Sequence, residues 1–264
     1  MEVRGGGIKE ALERDGYAVV RDVFSPEEIA RMRGEVTALL AANARSINGG
    51  LIVGPVALEA DLARRLLDDA RLAAAVEGEF PCQIHIHADT FNDWHADLEP
   101  PGWTAVFSGA SAWMYKIVIY LQDHPDRDGF SVVPGSHKEA NTPRSPLHVS
   151  TRAGDIVVFD HSVRHAGRLP NRLIGALAWY LYRLRLLDTP GRLFRLQHLL
   201  QPAPPVQRLA IFLLFATLRD IGQRYAALRE SPSWGERPLR LKLASWFPPP
   251  SRGDCQKHTH NPIR

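Results

Sequence analysis

One stretch near the middle of the chain decides the fold we expect: Phe91-Asn92-Asp93-Trp94-His95-Ala96-Asp97-Leu98. Successive side chains of an extended segment point to opposite faces, so His95 and Asp97, two residues apart, would lie on the same face. An imidazole and a carboxylate side by side are two of the three protein ligands of an open metal site. The stretch therefore predicts a metal centre and requires a histidine from elsewhere in the chain.

A second stretch supplies that histidine: Gly154-Asp155-Ile156-Val157-Val158-Phe159-Asp160-His161-Ser162-Val163-Arg164-His165. A turn leads into a run rich in β-branched residues, which predicts a buried strand with His165 shortly after it. Strands distant in sequence lie side by side in a double-stranded β-helix, so the two stretches can meet at one mouth of the barrel. We therefore expect a mainly β, jelly-roll (cupin-like) core with flanking helices, and iron(II) ligands His95, Asp97 and His165.

The composition is that of a globular protein of limited size. At 264 residues with a net charge of +3 spread along the chain, nucleic acid is not the first inference, and a small anionic substrate fits equally well. We divide the chain into a jelly-roll domain with N-terminal helices, 1–190, and a helical C-terminal extension with an irregular tail, 191–264. The two cysteines, Cys82 and Cys255, have no paired spacing, which favours a reducing compartment and a cytoplasmic location.

Targeting signals are not expected from this sequence. The N-terminal residues lack the apolar core of a signal peptide. The most apolar window, 209–218, is about half the roughly twenty residues that cross a bilayer, so we predict no transmembrane segment.

Local signals predict most of the secondary structure. Ser25-Pro26-Glu27-Glu28 is typical of a capping box that opens a helix to about Ala42. Periodicity predicts the following further elements: helices at 8–15 and 58–77, strands at 82–89, 113–121 and 129–133, a strand at 173–184 after His165, and a long helix at 206–229. The apolar run 211–218 in that last helix favours core packing or a dimer seam over a lid or a membrane contact.

Taken together, these motifs resemble the phytanoyl-CoA dioxygenase-like family of iron(II)/2-oxoglutarate-dependent oxygenases over residues 8–186. The segments that carry the resemblance are Asp15-Gly16-Tyr17, Phe24 to Ile29, Asp93 to Asp97, Ile119 to His124, Val133 to Lys138 and Gly154 to His165. The resemblance implies Fe(II) on His95, Asp97 and His165 and the cosubstrates 2-oxoglutarate and O2. It also implies hydroxylation of a small-molecule metabolite or natural-product intermediate, with release of succinate and CO2. Halogenation is disfavoured, because halogenases of this type leave open the position that Asp97 fills.

The resemblance also implies an arginine for the far carboxylate of 2-oxoglutarate, about ten residues after the distal histidine. Ala176 stands eleven residues after His165, so the usual spacing is not met. Arg172 is the best substitute, ahead of Arg168 and Arg183. Lys116 and Tyr120 share one face of their strand and could reach the same carboxylate if that face points inward.

Several alternatives remain open at this point. His87-Ala88-Asp89 is a second HxD sequence, which we interpret as strand residues near the site because it lacks the preceding Trp. His161 competes with His165, and the family spacing favours His165, with His161 as a hydrogen-bonding neighbour. For the whole chain, the alternative is a jelly roll that binds a metal or ligand without turning over 2-oxoglutarate. A homodimer through the C-terminal helix is a further expectation.

Overall fold

The structure is a computed structural model. It describes residues 7–47, 50–58, 60–76, 80–90, 94–97, 113–124, 129–138, 145–167, 172–186, 192, 196, 199–200 and 207–230. The predicted irregular tail lies outside these residues.

The N-terminal region folds as the local signals predict. Helix α1 (Ile8–Asp15) ends at Gly16, whose φ of 80° is a left-handed conformation that costs a residue without Cβ little. Strand β1 (Tyr17–Val20) leads to α2 (Pro26–Asn43), where the Ser25 side chain accepts from the Glu28 N–H and the Glu28 carboxylate accepts from the Ser25 N–H. The capping box is confirmed. The predicted helical region at 58–77 forms two short helices, α3 (Asp61–Leu67) and α4 (Ala70–Ala75).

Two antiparallel sheets form the core of the jelly roll. The strands that follow β1 in the chain are β2 (Arg45–Ile47), β3 (Gly50–Val53), β4 (Phe80–Ala88), β5 (Met114–Tyr120), β6 (Phe130–Val132), β7 (Leu147–Val149), β8 (Ile156–Asp160), β9 (His165–Ala166) and β10 (Leu209–Ala216). The larger sheet has the order β1-β8-β5-β10-β4-β3-β2, and the smaller has the order β7-β6-β9. From β1 to β4 of the larger sheet, and between β6 and β9, strands that are neighbours in space are distant in sequence, as expected for a double-stranded β-helix.

The larger sheet separates two apolar cores. Its outer face packs against α2, α3 and α4, with Ile117 and Ile119 of β5 among the buried residues. Its inner face points toward the smaller sheet, with Val118 and Tyr120 of β5 in a second cluster that includes Phe159. Strand alternation thus directs odd and even residues of one strand to different cores.

The predicted long helix at 206–229 is wrong over its first half. Residues 209–216 form β10, a strand paired with β5 on one side and β4 on the other, and a helix, α6, begins only at Arg219 and ends at Glu230. A central strand covered on both faces is apolar at every position, so Leu-Ala-Ile-Phe-Leu-Leu-Phe-Ala has no period that distinguishes a strand from a buried helix. The run does pack in the core, as predicted.

The predicted strand at 173–184 is also wrong, because this segment is helix α5 (Arg172–Arg183). Ile174 and Ala178 are buried four residues apart, which is the spacing of one helix face. Leucine, alanine and arginine dominate the segment and favour a helix, whereas β-branched residues are nearly missing from it.

The domain boundary at residue 190 needs the same correction. Since β10 lies in the middle of the larger sheet, the β-core extends to residue 216, and α6 is the described remnant of the predicted helical extension. Within the described parts of the chain, no helix has both the length and the hydropathy that a membrane span requires.

Candidate metal centre

The predicted meeting of the two sequence stretches occurs through the backbone. His95 and His165 pair in an isolated antiparallel bridge, with an N–H of each residue donating to the carbonyl of the other at 2.9 and 2.8 Å. Their rings lie with centroids 4.4 Å apart. Beyond this bridge, the described residues 94–97 form no continuous strand, so the bridge, rather than an extended run, brings the early motif to β9.

Three potential ligand atoms converge at this bridge. Those of His95, Asp97 and His165 all lie within 4.8 Å of one another. His95 Nε2 is 3.7 Å from Asp97 Oδ1, and His165 Nε2 is 3.5 Å from Asp97 Oδ2. Among the residues that the structure describes, this is the one group of three or more His, Cys, Asp or Glu side chains with such geometry.

The His165 ring is held in the tautomer that a metal needs. Its Nδ1 is 3.0 Å from the Val163 carbonyl, which can only accept, so Nδ1 carries the proton and Nε2 has a free lone pair toward Asp97. Burial, followed by the electrostatic interaction with His95, lowers the pKa of His165 to about 3. The imidazole is therefore neutral near neutral pH, as a metal ligand must be.

Asp97 is the anionic member of the group. Burial opposes its ionisation, but Lys116, followed by His161 and His165, outweighs burial and holds the pKa of Asp97 well below its usual range. Its side chain is only 10 % exposed. A buried carboxylate that stays charged is a strong ligand for a divalent cation.

Lys116 lies beside this carboxylate and not at the far end of the barrel. Its Nζ donates to Asp97 Oδ2 at 2.5 Å and lies 5.7 Å from the ring centroids of both Phe159 and Phe212. The face of β5 that carries Lys116, Val118 and Tyr120 does point inward, as the sequence suggested. In this structure, Lys116 contacts the metal-site carboxylate.

The competing histidines have other positions. His161 is buried next to the cluster, with Nδ1 3.6 Å from Asp97 Oδ2 and its ring edge-on to Tyr225 of α6 at 4.8 Å. Asp89 of the second HxD sequence accepts the Arg208 N–H at 2.9 Å, and His87 contacts Thr90 and the Phe212 ring. Neither belongs to the three-ligand group.

A pocket lies on the same inner face of the larger sheet. It is lined by the last inward residue of β5, Tyr120, by Gln122 and His124 just beyond it, by Arg208 and Phe212 of the β10 region, and by Gly167. Gly167 is two residues after His165, so the pocket begins next to the metal cluster. Arg208 directly precedes β10, two residues before Ala210 and four before Phe212, which both point inward. Because side chains alternate along a strand, Arg208 is on the same inward-facing side.

Burial and the guanidinium of Arg208 determine the electrostatics of this pocket. Burial and the charge of Arg208 lower the pKa of His124 to about 3. Burial raises the pKa of Tyr120, and Arg208 opposes that rise. The lining also includes His87 and Asp89, and the Asp89 side chain accepts the backbone N–H of Arg208. The Arg208 guanidinium is the group of this lining that can pair with the carboxylate of a ligand.

Arg172 lies at the start of α5, and its side chain is outside the described residues. Its predicted role remains untested, but the reason for choosing it no longer holds, because α5 is not the strand after the distal histidine. That strand is β10, and the arginine at its start is Arg208. Sequence reasoning missed Arg208 because forty residues separate it from Gly167; the Gln207-Arg208 pair before an apolar octapeptide was the available signal.

The fold and the site can now be compared with known proteins. No protein-family model matches the chain. It is 26 % identical over 149 residues to an ectoine dioxygenase of Sphingopyxis alaskensis, covering 48 % of either chain. It is also 26 % identical over 177 residues to an ectoine dioxygenase of Bordetella parapertussis, and this match covers 57 % of either chain. The chain thus spans about half the length of the curated relatives it matches.

Solved structures resemble a larger part of the chain. The non-haem α-ketoglutarate-dependent epimerase SnoN from nogalamycin biosynthesis aligns with a TM-score of 0.56 and 22 % identity, covering 88 % of this chain and 91 % of SnoN. HygX from Streptomyces hygroscopicus, solved with nickel and 2-oxoglutarate bound, aligns with a TM-score of 0.54 and 15 % identity, covering 81 % and 87 %. The jelly-roll fold predicted from the sequence is therefore confirmed, and it is the fold of these 2-oxoglutarate-binding enzymes.

Proposed function

We propose that this protein is a non-haem Fe(II)/2-oxoglutarate-dependent dioxygenase of the phytanoyl-CoA dioxygenase-like group. It would hydroxylate a small-molecule metabolite or natural-product intermediate and release succinate and CO2. The observation that carries the proposal is the convergence of His95, Asp97 and His165 within 4.8 Å, beside a pocket that contains a guanidinium. The named relatives, which are dioxygenases, and the structural neighbours with 2-oxoglutarate support the same class.

The residues present fit iron(II). Two imidazoles and one carboxylate are the donor set of non-haem Fe(II) oxygenases, and they leave coordination positions open. The proton on His165 Nδ1 leaves Nε2 to bind the metal, and Asp97 supplies the negative charge. When bound at these residues, Fe(II) with 2-oxoglutarate and O2 supplies the oxidising chemistry that inserts oxygen into a substrate C–H bond.

The surrounding side chains orient the ligands and exclude water. The Phe159 ring packs on His165 with centroids 4.5 Å apart, and Phe130 stacks on it at 5.9 Å. Lys116 holds one Asp97 oxygen, which keeps this carboxylate ionised and limits its rotation. The three ligands are thus fixed before a metal arrives, which lowers the cost of forming the site.

We assign the far carboxylate of 2-oxoglutarate to Arg208, with Tyr120 as a hydrogen-bond donor. A guanidinium matches a carboxylate with two parallel N–H groups, and a half-buried pocket strengthens that interaction. The sequence favoured three side chains for the cosubstrate. Of these, Tyr120 lines this pocket, Lys116 contacts Asp97, and Arg172 is the first residue of helix α5.

Equilibrium binding tests this assignment without knowledge of the substrate. Under anaerobic conditions, 2-oxoglutarate is titrated into Fe(II)-loaded protein, and the visible charge-transfer absorption of the chelate is followed. We expect Arg208→Gln to weaken 2-oxoglutarate binding about a hundredfold, the cost of one lost charge-assisted pair. The matched variant Arg172→Gln should bind like the wild type.

Two results would contradict the proposal, one at the assignment of Arg208 and one at the use of 2-oxoglutarate. If Arg172→Gln loses 2-oxoglutarate and Arg208→Gln retains it, the original sequence assignment is right and ours is wrong. If the wild type binds Fe(II) but neither binds 2-oxoglutarate nor releases succinate in air, the protein is a metal-binding jelly roll without 2-oxoglutarate turnover.

The predicted cytoplasmic location and homodimer remain predictions. The apolar run that suggested a dimer seam, 211–218, is buried in β10 through residue 216, so that run is not available as a helix face. The small-molecule substrate is also part of the proposal. The match to the ectoine dioxygenases covers only about half of their length, so their substrate is not carried over to this chain.

A further inference from the structure

The segment that connects the metal centre to the cosubstrate pocket has an unusual composition. This connecting segment, residues 168–207, contains six arginines, one aspartate, no lysine and no glutamate, together with eleven leucines. The whole chain has 32 basic and 29 acidic residues, so the remainder has 26 and 28 and is slightly acidic. The net positive charge is therefore concentrated in this segment. The expectation that it is spread along the chain is not met.

Helix α5 and the residue that follows it, Leu184, expose an apolar stripe to solvent. Its members are separated by four, three and four residues and so lie on one helix face. They are Leu173, Leu177, Tyr180 and Leu184, with exposed fractions of 78 %, 40 %, 61 % and 49 %. A contiguous set of large apolar side chains of this size on a surface is uncommon without a binding role.

The opposite face of α5 already serves the packing of the segment. Ile174 and Ala178 are buried there, in a cluster with Trp179, Tyr182 and Leu196. The helix is thus apolar on two sides, and its fold does not depend on covering the stripe. The stripe must be explained by something outside this packing.

Charge favours one kind of partner. No acidic residue occurs anywhere from 161 to 187, whereas Arg183 and Arg185, both exposed, stand at the end of the stripe. A leucine-rich stripe with an aromatic ring and flanking arginines is the pattern of helices that lie in the headgroup region of anionic membranes. Pairing with a second copy of α5 would instead bring like charges together.

We propose that α5 docks this protein on anionic lipid bilayers, with the stripe among the upper acyl chains and Arg183 and Arg185 on the headgroup phosphates. Twelve residues give a helix of about 18 Å, too short to span and suited to lie flat. Because the connecting segment joins Gly167 to Arg208, both in the pocket lining, docking would hold the pocket side of the barrel close to the surface. The proposal does not depend on the oxygenase reaction.

Vesicle co-sedimentation of the full chain tests the proposal. Vesicles of phosphatidylcholine alone are compared with vesicles that also contain phosphatidylglycerol, at low and high salt. We expect binding to the anionic vesicles, weakened by salt, and little binding to the neutral ones. Arg183→Gln/Arg185→Gln should bind about thirtyfold more weakly, the effect of two lost interfacial cations.

Matched variants separate docking from general changes. Leu173→Ser/Tyr180→Ser removes the two most exposed members of the stripe and should also lose binding while unfolding thermally like the wild type. Leu218→Ser, at a 42 % exposed leucine outside the segment, and Arg31→Gln, at an exposed arginine of α2, should bind like the wild type.

Three outcomes would overturn the proposal: no sedimentation with any vesicle, equal binding to neutral and anionic vesicles, or equal losses in the control variants. A concentration-dependent dimer that Leu173→Ser/Tyr180→Ser abolishes, without vesicle binding, would show that the stripe is a self-association surface instead.

Discussion

The two faces of the larger sheet are built from the same strands but differ in kind. On the outer face, Ile117 and Ile119 of β5 pack against α2, α3 and α4 in a purely apolar core. On the inner face, Lys116 and Tyr120 of the same strand reach a metal-ligand group and a pocket with a guanidinium. One strand thus supplies stability on one side and chemistry on the other.

This difference has an energetic reason. Apolar side chains on the outer face stabilise the fold through burial, and truncating one of them leaves a cavity that lowers the free energy of unfolding. Polar side chains on the inner face are buried at a cost, which is offset only by their partners, as Lys116 and Asp97 show. Substitutions should therefore divide into those that change stability alone and those that change activity. Variants of Asp97, Ile119 and Tyr120 test that division, and variants of the α2 capping box provide a reference away from both faces.

Replacement of Asp97 by alanine should have the largest effect, because it removes a proposed metal ligand and the ion-pair partner of Lys116. We expect Fe(II) binding and succinate release to fall to background, and the free energy of unfolding of the metal-free protein to fall by about 3 kcal/mol. Calorimetry of metal binding, a succinate assay and chemical unfolding measure these effects.

The double variant Asp97→Ala/Lys116→Met is the control for that experiment. It removes the buried charge that the single variant leaves behind, so it should recover most of the stability and none of the activity. Full coupled turnover by Asp97→Ala would contradict the assignment of the ligand.

On the outer face, Ile119→Ala should lower the free energy of unfolding by about 3 kcal/mol, because Ile119 is fully buried and its truncation leaves a cavity. The KM for 2-oxoglutarate should stay within about twofold of the wild type at temperatures where the variant is folded. The milder Ile119→Val should cost about 1 kcal/mol. A large change in KM would show that the two faces are not independent.

On the inner face, Tyr120→Phe removes only a hydroxyl group. If Tyr120 donates to the cosubstrate carboxylate, 2-oxoglutarate should bind about tenfold more weakly, the contribution of one hydrogen bond to a charged group. The free energy of unfolding should change by less than about 1 kcal/mol. An unchanged affinity for 2-oxoglutarate would show that the Tyr120 hydroxyl does not donate to the cosubstrate and that the side chain serves only in packing.

Away from both faces, a substitution in the capping box of α2 should have the smallest effect on the free energy of unfolding. This effect should depend on pH. Hydrogen bonds from Arg71, at 2.7 Å, and from the Ser25 N–H lower the pKa of Glu28 from 4.5 to about 2. Since the folded-state pKa is lowered, this stabilisation is fully present above pH 4.5 and is lost as the pH falls toward about 2.

The variant Glu28→Gln measures that contribution. The wild type should be more stable by about 1 kcal/mol or less at neutral pH, because the pair is partly exposed, and the difference should shrink below pH 4.5. Arg71→Gln should remove most of the same pH dependence, since Arg71 is the main cause of the lowered pKa. A difference that grows in acid would refute the linkage.

Local sequence signals were enough for the metal centre and for the N-terminal helices. His95 and Asp97 are two residues apart, His165 follows a β-branched run, and Ser25 with Glu28 forms a capping box; each signal lies within a dozen residues. The meeting of His95 and His165 followed from the jelly roll that these motifs implied, and the structure shows it as a backbone bridge.

The tertiary structure alone decided the cosubstrate end of the barrel. An apolar octapeptide such as 209–216 satisfies either a buried helix or a central strand, and only pairing with β5 and β4 selects the strand. That selection places Arg208 at the pocket. The tertiary structure also shows that Lys116 contacts Asp97 and that α5 lies at the surface. The sequence by itself predicted which side chains form the candidate metal site, because ligand spacing is local. Which arginine faces the pocket depends on strand pairing across more than eighty residues, for which no local period exists.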